Sequence, residues 1–270
     1  VDHLLYSRFW QKVLFDAGLV THDEPFLKLA HQGIVMGPDG QKMAKSRGNI
    51  INPDEVQSQY GSDAARVYIS SFCPFYKDKP WDTKGIEGVK RFLDRVWRLA
   101  FDENNQVIAE DDNEISENLL KTYHKTIKKV SEDIESLNFN TAISAMMILV
   151  NEMYKEKVRP KQLIKTLAQL LMPFAPHISE EIWQALGGDG FVSLAAFPKY
   201  DEALVVDDKV TMGVQVLGKM RGTIDVTMDT SEAEAMATAQ DVAAVKNALP
   251  GKNIVKVIYK PGNILNIIAK

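Results

Sequence analysis

The 270 residues are 45% apolar, 25% charged and 9% aromatic, enough to bury the cores of about two domains and unlike a disordered chain. A net charge of −4 argues against a protein that coats nucleic acid indiscriminately, and the lack of any ~18-residue apolar run argues against a membrane-spanning helix. The single cysteine, Cys73, allows no internal disulfide or multi-cysteine metal site, so no metal is expected and a reducing cytoplasm fits.

The chain opens on Val1-Asp2-His3, without an initiator Met or signal-peptide layout, and reads as beginning mid-domain. Leu4-Leu5, Phe9, Val13 and Leu14 recur at helical spacing up to Gly18. Ile34-Val35-Met36 has strand character, and Pro38-Asp39-Gly40 supplies a turn. Asn52-Pro53-Asp54-Glu55 predicts a helix start, with Asn as cap, Pro in first place and acids in the first turn. Gly61 ends that helix and Ser62 is expected to cap the next.

Residues 84–200 predict several amphipathic helices and an antiparallel bundle. One stripe runs Leu119, Tyr123, Ile127, Val130, Ile134 and Leu137. A second runs Phe139, Ile143, Met146, Val150 and Met153, and a third Leu163, Leu167, Leu170 and Leu171. Pro176 should break one helix and start another, with Glu180 and Glu181 in its first turn and Trp183 in the core; His177 is given no catalytic role. From residue 206 the period changes to two. Met212, Val214 and Val216 alternate, as do Ile224, Val226 and Met228, with Gly218 between them as a hairpin turn. Ser231 and Glu234 form a capping box. Asp241 is expected to cap a second helix ending near Pro250-Gly251. The runs Ile254–Tyr259 and Ile264–Ile268 complete a ββααββ order.

Charge is unevenly spread. Residues 102–118 hold seven acids and no Lys or Arg, residues 242–270 five lysines and no acid, and residues 84–101 five basic and two acidic side chains. The pattern fits solvated helix faces, or a large anion held at some faces and repelled at others.

The densest chemistry lies in Lys42-Met43-Ala44-Lys45-Ser46-Arg47-Gly48-Asn49. A Lys-rich loop alone is ordinary surface. This one carries three cations and no acid between a strand-and-turn and a capped helix, a placement suited to a polyphosphate whose charge moves during reaction.

At these residues the chain resembles the class I aminoacyl-tRNA synthetases, whose second signature is Lys-Met-Ser-Lys-Ser, here with Ala44 in the middle place. The resemblance extends over His31–Val35, Asn49–Glu55, Tyr60–Arg66 and Pro173–Trp183. Lys77-Asp78-Lys79-Pro80-Trp81, Gly85–Gly88, Arg91–Arg98 and Val214–Gly222 resemble leucyl enzymes. It implies a multidomain, mainly α chain: the end of a Rossmann-type catalytic domain (1–83), a helical tRNA-binding bundle of the anticodon-binding-domain kind (84–205) and a small α+β domain (206–270). It implies ATP-dependent attachment of leucine to tRNA(Leu) through leucyl-adenylate. The partners are then leucine, tRNA(Leu) and ATP with Mg2+ as substrate, in a cytoplasmic, monomeric enzyme.

By the same resemblance Lys42, Lys45 and Ser46 serve catalysis and, with Met43, ATP binding, while His3 contributes to the leucine pocket. Arg91, Arg95 and Arg98, spaced as one helix side, and Lys219, Arg221, Lys252, Lys256 and Lys260, by strand alternation, are candidate tRNA contacts. No His-Ile-Gly-His signature or editing domain occurs within the 270 residues, so the chain alone is not expected to form the adenylate. Alternatives are a non-catalytic tRNA-binding module, or isoleucyl or valyl specificity. Against the latter stand the ββααββ end and the lack of a cysteine-rich zinc module.

Overall fold

The first helical stripe folds as α1 (Asp2–Asp16), and Gly18, at φ +70°, closes it by donating to the Phe15 carbonyl. The computed structural model describes residues 2–111, 115–205, 210–227, 230–250 and 253–269, which fall into two compact units, Val1–Lys199 and Tyr200–Lys270. No residue of α1 is buried. Arg8 and Lys12 on α1 hold Glu24, lowering its carboxyl pKa to about 2 through their hydrogen bonds.

In the same unit β1 (Val35–Met36) pairs in parallel with β2 (Lys79–Pro80). The approach needs glycine at 33, where a Cβ would lie 2.0 Å from the Lys77 carbonyl oxygen, and Asp78 accepts the Ile34 N–H at 2.7 Å. α2 (Pro53–Tyr60) starts as its sequence dictates: Asn52 accepts the Asp54 N–H at 3.0 Å and Pro53 opens the helix. α3 (Ser62–Ser71) differs from expectation. Gly61, at φ +90°, takes the cap position, and Ser62 is already helical and makes no capping bond.

The helical region contains α4 (Thr83–Ala100), α5 (Glu117–Glu135), α6 (Phe139–Glu156), α7 (Lys161–Leu171) and α8 (Pro176–Ala185). Their stripes meet in a core where Ile127, Ile143, Met146, Leu149, Leu167 and Leu170 are at most 1% exposed. The first stripe is shorter than its sequence suggests. α5 stops at Glu135, and Leu137, at φ +61°, lies in the reversal to α6. Asp133 is buried at the end of α5, where Lys129 and the Thr141 hydroxyl reach it at 2.7 and 2.6 Å.

Pro176 starts α8, so Glu180 and Glu181 fall after the first turn, which has no acid of its own. The anion comes from α3 instead. Asp63 accepts the Ile178 N–H at 2.8 Å and the His177 N–H at 3.4 Å, and meets the His177 ring Nδ1 at 2.8 Å. One turn on, Arg66 donates to the Pro173 and Phe174 carbonyls at 2.9 and 3.2 Å. A carboxylate thus sits at the start of α8 and a guanidinium just past the end of α7, each with the sign the helix dipole favours. Asp63→Ala strips this cap, and the expected loss is about 1–2 kcal/mol, read as a lower urea midpoint. Asp63→Asn, which still accepts, should lose less; a parental midpoint for Asp63→Ala would remove the cap from the account.

The second unit begins with α9 (Glu202–Val205), then β3 (Val210–Val216), β4 (Lys219–Val226), α10 (Glu232–Gln240), α11 (Ala243–Lys246), β5 (Ile254–Lys260) and β6 (Ile264–Ala269). The sheet order is β4-β3-β6-β5, with β3 and β6 parallel between two antiparallel hairpins. Leu217 and Gly218 both have positive φ, +52° and +76°, which is the type I′ reversal that matches strand twist. Ala235, Ala239 and Val245 close one face over Met212, Val214, Val216, Leu265 and Ile267. The Ser231–Glu234 capping box forms. Asp241 caps the end of α10 rather than the start of α11, which is a single turn begun at Val242 and finished by Asn247. Met228 and Gly251 lie outside the described residues.

Candidate nucleotide-binding loop

The loop of residues 42–49 leaves β1 through a tight reversal: Gly37 N–H donates to the Gln41 carbonyl at 2.8 Å, and Met36 and Lys42 form a β-bridge. Lys45–Arg47 make one 3-10 turn, closed by Gly48 at φ +64°. Met43 is half-buried and lines an apolar cavity with Val35, Ile51, Pro53, Val56 and Trp81. Lys42, Lys45, Ser46 and Arg47 are exposed, with Arg47 also donating to the Lys42 carbonyl at 3.3 Å, so the loop presents several cations to solvent. That arrangement can follow a polyphosphate as its charge redistributes.

Two residues that sequence reasoning missed build the base. The Asn49 amide oxygen accepts the Ala44 N–H at 2.9 Å, and its nitrogen faces both Asp39 oxygens at 3.0 and 3.1 Å. Asp39 also accepts the Gln41 N–H at 3.0 Å. These bonds, Asn49's first, hold the Asp39 carboxyl below the usual range. Position 44 contributes its backbone N–H to this frame, a contact that needs no particular side chain. Pro38-Asp39-Gly40 signals a turn and Gly48-Asn49 a loop end; only the fold brings them together.

The other candidates are more dispersed. His3 is exposed in the first turn of α1, and its carbonyl accepts the Ser7 hydroxyl at 2.7 Å. The three arginines of α4 do not form a free row. Arg91 is exposed, but Arg95 donates to Asn151 at 2.7 Å and lies 4.5 Å from the Tyr154 ring centre, because α6 packs on that side. Arg98 donates to the Asp102 carbonyl at 2.8 Å, past the helix end.

On the hairpin, Lys219 and Arg221 lose their shared parity. Val214 pairs with Gly222 and Gln215 with Met220, so Arg221 is the extra residue of a bulge. Lys256 and Lys260 keep theirs: both are exposed, opposite Ile268 and Ile264. Lys252 lies outside the described residues.

Residues 5–82 match the family described as tRNA synthetases class I (I, L, M and V), and residues 116–237 the anticodon-binding domain of tRNA ligase. The leucine–tRNA ligase of Bdellovibrio bacteriovorus is 57% identical over 100% of this chain and 34% of its own length. That of Chloroherpeton thalassium is 51% identical over 100% and 34%. Among solved structures, the ternary LeuRS-tRNA-LeuAMS complex of Agrobacterium radiobacter K84 agnB2 superposes with a TM-score of 0.76 at 32% identity, covering 99% of this chain and 37% of that one. Mycobacterium tuberculosis methionyl-tRNA synthetase in complex with methionyl-adenylate shares the fold alone, with a TM-score of 0.50 at 18% identity over 67% of this chain and 41% of that one. The chain spans about a third of the length of the curated relatives it matches, and it belongs to the leucine–tRNA ligases of the class I aminoacyl-tRNA synthetases.

Proposed function

We propose that this chain works within a leucine–tRNA ligase that joins leucine to tRNA(Leu) at the expense of ATP. In this reading residues 1–83 end the catalytic domain, 84–205 form the tRNA-binding bundle and 206–270 a further tRNA-binding domain. Lys45, then Lys42, stabilise the phosphates as the leucine carboxylate attacks the α-phosphate and pyrophosphate leaves with its Mg2+. Ser46 donates beside them, and Met43 holds the loop's base. His3 contributes to the leucine pocket. Arg91, Lys219, Arg221, Lys256 and Lys260 contact tRNA phosphates; Arg95 and Arg98 do so only where their present bonds leave a donor spare, and Lys252 completes the set. The enzyme acts as a cytoplasmic monomer.

One observation carries the proposal: the exposed Lys42, Lys45 and Ser46 stand on a loop fixed between β1 and α2, in a chain 57% identical to a named leucine–tRNA ligase. The test is amino-acid-dependent ATP–pyrophosphate exchange by the complete ligase that contains this chain. Exchange should be far faster with leucine than with methionine, and leucine should then load onto tRNA(Leu). Methionine supporting exchange as well as leucine would overturn the assignment.

A further inference from the structure

A mobile cationic loop must return to one starting geometry on every cycle, and few side chains can enforce that. Asn49 has an acceptor and two donors on one rigid plane. Its oxygen accepts the Ala44 N–H, and its nitrogen donates to the Asp39 carboxylate, with the Lys42 and Gln41 carbonyls at 3.4 and 3.5 Å. One amide therefore ties the entrance of the loop at 39–42, its middle at 44 and its exit at 49. Gly37 is buried beneath this group. A Cβ there would lie 2.8 Å from the Asn49 amide nitrogen and 2.8 Å from the Asp39 Oδ1.

The geometry points to Gly37, Asp39 and Asn49 as a latch that positions Lys42 and Lys45 for the phosphates. They are positioning residues and touch no substrate themselves. The inference rests on the ATP reading of the loop. Asp39 also places a negative charge among the loop's cations, near Arg47, which anchors the base while leaving the lysines free to move outward.

Asn49→Asp in the complete ligase tests this. The variant is isosteric and still accepts the Ala44 N–H, but it sets a second carboxylate against Asp39. The kcat of leucine-dependent ATP–pyrophosphate exchange should fall by roughly 10- to 100-fold, the scale of an ångström-sized misplacement, with the leucine KM unchanged. Adding Asp39→Asn restores a donor opposite the new carboxylate and should recover about tenfold. A general loss of folding would not respond to that exchange of partners. Parental kcat in Asn49→Asp, or a double variant no faster than the single, would overturn the latch. The ATP reading fails separately, by indifference of the same assay to Lys45→Ala.

Discussion

Lys45→Ala in the complete ligase should lower the kcat of leucine-dependent ATP–pyrophosphate exchange by about 10²–10³-fold, with little change in the leucine KM. The size follows from removing one preorganised donor from charge that develops in the transition state, typically about 2.7–4 kcal/mol. Lys45 is exposed in the Lys45–Arg47 turn, so it is held by its backbone and free at its tip. Removing it costs no core packing, and a fall in rate therefore reports chemistry. Lys42→Ala should lose less, since Lys42 belongs to the bridge with Met36 and stands closer to the loop's base. Steady-state kinetics separate the possibilities. A raised ATP KM at constant kcat would make the contact one of ground-state binding, and an unchanged kcat/KM would mean that Lys45 touches no phosphate.

Deleting Tyr200–Lys270 from the complete ligase should weaken tRNA(Leu) charging roughly tenfold or more, the effect of losing about 1.4 kcal/mol of binding, while adenylate formation stays near normal. The deletion removes a unit with its own core, from Met212 and Val214 to Leu265 and Ile267. Lys256 and Lys260 face solvent on the strand opposite the Ile264–Ile268 partners, where they can meet phosphates without reading bases. The deleted enzyme should also show a shallower salt dependence of tRNA binding, since fewer counterions are released. Equal charging by the two enzymes would leave this unit without a role in tRNA recognition, and the lysines would then merely guard an edge strand.

Much of the architecture was legible because it rests on local rules. The capped start at Asn52-Pro53, the helix begun by Pro176 and the Ser231–Glu234 box each need only neighbours within one turn. The ββααββ order followed from a two-residue period punctuated at Gly218 and Pro261-Gly262. What escaped depends on partners far along the chain or on one extra residue. Arg95 looked like surface because α6 is invisible from α4's own spacing. Arg221 kept its apparent parity until a bulge removed its partner. Asp63 stands in the first turn of α3 but serves a helix that starts more than a hundred residues later. The cationic loop itself stood out in the sequence, but its support did not: Asn49 meets Ala44 and Asp39 at separations of 5 and 10, and no helical or strand period marks such bonds.

The reach of Asp63 also sets an order of events at the ribosome. Ile178 lies 115 residues beyond it, and at about 5–20 residues per second that stretch takes roughly 6–23 s to synthesise. Over that interval α3 can pack on α2 and α4 and place the Tyr68 hydroxyl on the Asp82 carbonyl, but Asp63 and Arg66 still lack their partners between α7 and α8. The bonds that tie α3 to the start of α8 are therefore among the last to form in this stretch. A slowly translated stretch encoding residues 70–170 would lengthen the time Asp63 and Arg66 wait for these partners, so the yield of folded enzyme should depend on translation speed there more than past residue 180.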